Sequence, residues 1–393
     1  GIYSPLMAGE ISGLTMAGVI IFSGLANVVG FRCQGKYKIL MQAEGRNYVI
    51  TNIQTIITVA SCLARIAAVN AGASIVWVTA CGCGITMLQT IYYYYYAGRH
   101  YSWLNLSAAP AWEAVSQKNS VMIHQVSQLV FQNTDVLVLT IFCGLRVVSI
   151  YSVYKLVASA ISSINYQASE SFLFLLGQEY AKDRSRYCRM IDLFDQLYTI
   201  LSFSLFTVAL ILYPVFIPLY TKGADISYAD SLLPLLFILI EILSSCRHSM
   251  QNTINVAGAF RDTVPRTLAE TAINLTVSIA AVFRFGIYGV LIGTIAALLY
   301  RTNDIILYGN HRLLGRGAAG SYALYGVNAC VLAACVCAAS RLKIAADSYL
   351  TFAGWGLLLL AAVSLLFLAV NLLVFPARMK KALSLLRRRG SEP

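Results

Sequence analysis

Three stretches of this chain carry polar and ionisable side chains at helical spacing inside otherwise apolar sequence. Gln125, Gln128, Gln132 and Asp135 fall at i, i+3, i+7 and i+10, and Tyr151, Lys155, Ser159, Ser162, Tyr166 and Glu170 at i, i+4, i+8, i+11, i+15 and i+19. Glu241, Ser244, Ser245, His248, Asn252 and Asn255 recur at three, four or seven residues, with Arg247 on an adjoining face. Such spacing gathers each set on one side of an α-helix. The chemistry available there is a cation for an anionic ligand, an acid that pairs with it or carries protons, and amides and hydroxyls that hydrogen-bond a polar ligand.

The elements that position these faces must cross a membrane. Of the 393 residues 58% are hydrophobic and only 12% charged, about half the charge of an ordinary soluble domain. Charge-free runs at 11–31, 66–98, 196–221, 317–340 and 348–377 each exceed the length of a spanning helix. A water-soluble enzyme is excluded, and the fold class is an all-α polytopic membrane protein. Charges and turn residues predict eleven spans near 10–31, 47–69, 73–95, 120–144, 147–176, 193–220, 231–257, 265–284, 287–308, 319–340 and 349–376.

The net charge of +12 would suggest a nucleic-acid partner in a soluble protein. Here the connections between spans alternate instead: twenty-one Lys and Arg fall on one face, Arg266 and Arg301 among them, five on the other, and Arg65, Lys155 and Arg247 within spans. The positive-inside rule makes the first face cytoplasmic, with the C-terminus inside and Gly1 outside. A start at Gly rather than Met, with no leader before the first span, leads us to expect a longer natural chain. No connection is long enough for an extramembrane catalytic domain. Segment 97–119, with Trp103, Leu104, Leu106, Trp112 and Val115, reads either as an amphipathic stretch on the cytoplasmic surface or as a plain linker. The five tyrosines at 92–96 suit an aromatic belt. Ten scattered cysteines, without metal-ligand spacing, imply neither a disulfide framework nor a metal site, and no cofactor is expected.

An ionisable side chain in hydrocarbon costs about 2.5–3.5 kcal/mol, so each marks a functional candidate. A short turn makes the fourth and fifth spans antiparallel neighbours and brings Asp135 and Lys155 to similar depth. Two readings stay open for that pair, a polar cavity or a buried structural ion pair. The candidate ligand-binding residues are Lys155, Arg247, Arg65, Gln125, Gln128, Gln132, Tyr151 and Asn274, and the candidate ion-coupling acids are Asp135, Glu170 and Glu241. Arg65 lies near a span end, where it could snorkel to headgroups. His248 and Asn274 could equally be packing residues, Asn274 through an interhelical hydrogen bond. Gly286 and Gly289 suit a tight turn between the eighth and ninth spans, and Gly293 close helix contact. Asp192 and Asp195, in DLFD, read as solvated residues at a helix start.

The stretch 270–300, ETAINLTVSIAAVFRFGIYGVLIGTIAALLY, resembles the E-x3-N-L segment followed by G-I-x-G-V-x-I-G-T of polysaccharide transporters in the multidrug/oligosaccharidyl-lipid/polysaccharide exporter superfamily. Segments 133–157 and 36–50 are similar to the same family. The resemblance implies a two-lobed bundle whose first lobe is incomplete: 1–96 a partial N-lobe of three helices, 97–119 a linker, 120–308 a six-helix C-lobe, 309–377 two additional helices and 378–393 a basic tail. It further implies a flippase, not an enzyme, in a bacterial inner membrane. Its substrate would be an undecaprenyl-diphosphate-linked oligosaccharide, and its partners the bilayer, that substrate and other proteins of polysaccharide assembly. The rival expectations are a multidrug exporter of the same superfamily, which should favour acids alone in its cavity, and a polysaccharide polymerase or glycosyltransferase, which should carry a long outer loop or an acidic nucleotide site.

Overall fold

The structure, a computed structural model, describes residues 13–101, 117–341 and 344–376. Within them the chain is helical throughout, with no strand, and forms eleven rods: α1 (Gly13–Ala43), α2 (Asn47–Asn70), α3 (Ile75–His100), α4 (Lys118–Phe142), α5 (Leu145–Lys182), α6 (Arg184–Tyr220), α7 (Leu233–Ala257), α8 (Phe260–Phe285), α9 (Ile287–Leu313), α10 (Ala319–Ala339) and α11 (Tyr349–Val374). All except α4 are long and apolar enough to cross a bilayer. α4 has 25 residues, but its Gln, Asn and Asp side chains lower its hydropathy. The protein is a multi-pass helical membrane protein embedded in lipid, where backbone groups must find their partners within each helix.

Hydropathy marks where charge begins, whereas a helix can run on past that point. α5 and α6 have 38 and 37 residues, some 55 Å each and longer than a hydrocarbon core. The cationic segment containing Lys182, Arg184, Arg186 and Arg189, expected to be a connection, is therefore helical on both sides of Asp183. That residue caps α6 by accepting from the Ser185 and Arg186 N–H groups at 2.8 and 3.2 Å. Most of the expected linker, 102–116, and the basic tail lie outside the described residues.

The chain divides into two compact units, 1–110 and 111–393. In the first, α3 packs against both α1 and α2. In the second, α6 is the spine: it packs against α5, α7, α10 and α11 and buries Phe203, Phe206 and Tyr213. The most extensive contact joins α8 to α9. Gly286 makes their turn at φ +54, and a Cβ at Gly289 or Gly293 would run into backbone of Ala281 or Ser278. Lipid-soluble helices gain little by burying apolar surface against one another, so such close approach and interhelical hydrogen bonds hold them together. α4 packs along α8 more extensively than along α5. The two helices flanking the Gly144 turn therefore diverge.

α7 is interrupted. Its halves, Leu233–Cys246 and His248–Ala257, meet at Arg247, whose N–H turns to the Ser245 carbonyl. The Leu243 carbonyl accepts from the Thr302 hydroxyl at 2.9 Å, an insertion of the kind that kinks helices.

Candidate functional site: a charged cavity in the second unit

The divergence of α4 and α5, together with the kinked α7 and with α8 and α9, encloses a cavity of about 910 Å³. All three polar stripes face it. Gln125, Gln128, Gln132 and Asp135 come from α4, Tyr151, Lys155, Ser159, Ser162, Tyr166 and Glu170 from α5, and Glu241, Ser244, Arg247, His248, Asn252 and Asn255 from α7. Ser245 is instead buried in the packing.

Asp135 sits in the wall, 6% exposed. It accepts from the Tyr151 hydroxyl at 2.9 Å and from the Thr294 hydroxyl at 2.9 and 3.1 Å. Lys155 donates to the Gln132 carbonyl at 3.2 Å and lies 5.4 Å from the Tyr151 ring centre. Among the described residues it forms no ion pair, so of the two arrangements open for Asp135 and Lys155 the cavity is the one present. Across the space, Glu241 accepts from the Ser162 hydroxyl. His124 holds α4 to α8 through the Phe260 carbonyl at 2.9 Å and the Thr267 hydroxyl at 3.0 Å.

Two candidates are placed elsewhere. Asn274 is fully buried and does not reach the cavity; its amide donates to Thr294 at 2.9 Å. It is thus the interhelical bond between α8 and α9 rather than a ligand contact, and it supports the hydroxyl that holds Asp135. Arg65 belongs to the first unit, where it lines a pocket of about 580 Å³ with Gln34, Gln89 and Thr86. A Cβ at Gly82 would lie 2.8 Å from its Nη2, so the glycine makes room for the guanidinium.

The spacing of residues missed two charged cavity groups, Glu270 and Arg301. Glu270 accepts from Arg247 Nη1 at 2.6 Å and faces Arg301 Nε at 3.5 Å. Arg301 Nη1 lies 2.5 Å from Asp304, whose other oxygen is 2.7 Å from Arg266 Nη1. Arg301 Nη2 donates to Thr267 at 3.1 Å. Arg266 and Arg301 had been counted with the connections, but α8 and α9 carry them inside helices. The available signal was helical register: Arg266 and Glu270 at i, i+4, Arg301 and Asp304 at i, i+3.

Asp195 also departs from expectation. It lies eleven residues beyond the α6 start, is 3% exposed, and accepts from Ser249 and Tyr325 at 2.8 Å each. Asp192 pairs with Arg316 at 2.6 Å. At one end of the second unit, outside the spans, Asp230 pins the α6–α7 connection. Its carboxylate accepts from the Leu232 and Leu233 N–H groups at 2.7 and 2.8 Å and from the Tyr288 hydroxyl. Burial pushes this carboxyl up, but the Tyr288 and backbone hydrogen bonds outweigh it and hold it below the usual carboxylate range.

All ten cysteines are free. Among the described residues no cluster of three or more His, Cys, Asp or Glu is placed to hold a metal ion. The charged, amide and hydroxyl side chains that line the cavity can pair with ions and hydrogen-bond polar groups. No protein-family model matches the chain, and neither a curated protein nor a solved structure matches it significantly.

Proposed function

We propose that this protein is a flippase that moves lipid-linked oligosaccharide, carried on an undecaprenyl-diphosphate-type anchor, from the cytoplasmic to the outer leaflet of a bacterial inner membrane. The observation that carries the reading is the cavity itself. A space of about 910 Å³ lined by amides, hydroxyls and charges is held within a unit of membrane-spanning helices. That volume stands near the top of the range of about 300–1,000 Å³ for small-molecule sites. A sugar and diphosphate headgroup cannot cross hydrocarbon unaided, whereas its polyprenyl tail can stay in lipid. Lys155 and Arg247 attract the diphosphate, and Gln125, Gln128, Gln132 and Tyr151 hydrogen-bond the sugar.

The cavity wall contains Lys155, Arg247 and Arg301 against Asp135, Glu170, Glu241 and Glu270. An anionic headgroup is accommodated here only if acids give up charge. This favours coupling of transport to proton uptake at Asp135, Glu170 or Glu241. In this reading the C-terminus is cytoplasmic, helix rocking alternates access, and other polysaccharide-assembly proteins supply and consume the substrate. The protein acts as a transporter and not as an enzyme. The excess of one acid also favours a second reading, export of cationic compounds.

Complementation separates the two. In a strain lacking its own flippase, the full-length protein should restore surface glycan. Lys155→Ala and Asp135→Asn, expressed equally, should each reduce it about tenfold or more, the scale of one charge-assisted contact. Surface glycan restored by both variants as by wild type would remove the cavity from the mechanism, and drug resistance without glycan would select the second reading.

A further inference from the structure

The arginine and carboxylate cluster at the cavity wall is asymmetric. Glu270 is 2.6 Å from Arg247 but 3.5 Å from Arg301, so one carboxylate is shared between a short contact and a long one. Arg301 is otherwise satisfied, by Asp304 and by Thr267. Arg247 is not: a guanidinium has five N–H donors, and among the described residues Glu270 is its only side-chain partner. The three groups all line the cavity, and the Arg247 side chain is the most exposed of them, at 15% against 5% for Glu270 and 3% for Arg301. With Asp304 and Arg266 the cluster holds three guanidiniums and two carboxylates. It lacks one negative charge for balance.

We propose that Glu270 is an internal counter-ion: it holds Arg247 in place of the substrate, yields it when a diphosphate arrives, and closes onto Arg301. The exchange leaves no arginine unpaired at any stage. A diphosphate first meets the unused N–H groups of Arg247 and then displaces the carboxylate, because a group with two or more charges and several acceptor oxygens competes well for a guanidinium fork. Glu270 shortens its contact to Arg301; the incoming anion supplies the one negative charge the cluster lacks, and proton uptake at the other cavity acids offsets the rest.

The exchange also has a mechanical consequence. Arg247 lies at the α7 kink, and its bond to Glu270 ties that kink to α8. The first half of α7 stays docked on α9 through Thr302 and Leu243. The second half stays docked on α5 through Asn252 and Ser169, 2.9 Å apart. Ser249, two residues past the kink, stays on α6 through Asp195 at 2.8 Å, so release of Glu270 removes the tie between the kink and α8 while both halves of α7 stay docked. This inference rests on the flippase reading and adds to it a regulated entry step for the headgroup.

The test is titration calorimetry on the full chain in detergent at fixed ionic strength, with inorganic pyrophosphate and farnesyl diphosphate as probes. Glu270→Gln should bind roughly ten- to a hundredfold more tightly than wild type, the scale of one charge-assisted hydrogen bond. Glu270→Asp keeps the charge but is one methylene too short to span both arginines. It should also tighten binding, and covers the case in which Glu270→Gln does not fold. The Arg247→Gln, Glu270→Gln double variant should bind neither probe tightly. Tightening for both probes supports the proposal and assigns the site to the diphosphate; tightening for farnesyl diphosphate alone supports it and requires the lipid. Binding that is unchanged, weaker or absent in both Glu270 variants overturns it. Complementation by wild type would then still stand on its own, so loss of the counter-ion does not remove the transport reading.

Discussion

Asp135 and Glu270 are two acids of one cavity, buried almost equally at 6% and 4% exposure, and the protein satisfies them in opposite ways. Asp135 is held by neutral hydroxyls of Tyr151 and Thr294, the latter supported by Asn274. Glu270 is held by the guanidiniums of Arg247 and Arg301. An acid held by hydroxyls can gain a proton without stranding any partner, because each hydroxyl can donate or accept. An acid held by two permanent cations cannot, since its neutralisation leaves buried positive charge unpaired. The first arrangement suits a group that changes charge during a cycle, and the second suits a group that changes partner.

That contrast predicts unequal costs. Arg301→Ala should be the most damaging substitution, at about 3–5 kcal/mol, because it removes one side of a buried network and leaves Glu270 and Asp304 short of a cation; chemical unfolding in detergent would measure it. Thr294→Val, nearly the same shape, should cost about 1–3 kcal/mol by removing a donor to Asp135 and the acceptor of Asn274. Asp135→Asn should cost about 1 kcal/mol or less, since the surrounding hydroxyls can reorient to an amide. Equal losses for Arg301→Ala and Asp135→Asn would mean that the two sites do not differ in kind.

The three cavity-facing stripes were legible in the sequence because a polar side chain recurring every three or four residues stands out against apolar neighbours. Periodicity gives a face, however, and not what that face meets. Asn274 has the same signature as Gln128, yet the glycines at 289 and 293 bring α9 so close that the Asn274 amide is taken up by Thr294. Helix ends were the weaker part of the reading. Arg301 was counted with the charges that follow it although the expected span, 287–308, already contained it, and α9 continues further, to Leu313, through a wider turn at Tyr308–Leu313. Asp195 looked like a helix start because the apolar run begins there, whereas α6 begins at Arg184.

The Thr side chains bond both within and between helices. In α2, Thr51, Thr55 and Thr58 each donate to a carbonyl four residues back in their own helix, a local bond that no other element is needed to complete. In the second unit Thr294 and Thr302 reach other helices, at Asp135 and Leu243. In the first unit Thr90 of α3 is likewise reached from another helix, accepting from the Gln34 amide of α1 at 2.9 Å, so residue type alone does not separate the two units.

Asp230 extends the comparison outside the membrane, with the smallest expected effect. It resembles Asp135 in being held by a tyrosine hydroxyl, here Tyr288, but adds two backbone N–H donors that favour its charged form. Its native carboxyl lies below the usual range, whereas the unfolded value is about 3.9. The unfolded chain therefore takes up the proton first. The stabilisation is complete above the unfolded value and is lost as pH falls through the native one. Thermal unfolding of wild type and Asp230→Asn, compared from neutral pH down to about pH 3, should show the difference between them shrinking only below about pH 4. Tyr288→Phe removes a donor to the ionised carboxylate, so it should move that loss to higher pH. If instead Tyr288→Phe leaves the pH profile unchanged, the backbone N–H groups alone hold the charge, and the parallel with Asp135 fails at the hydroxyl.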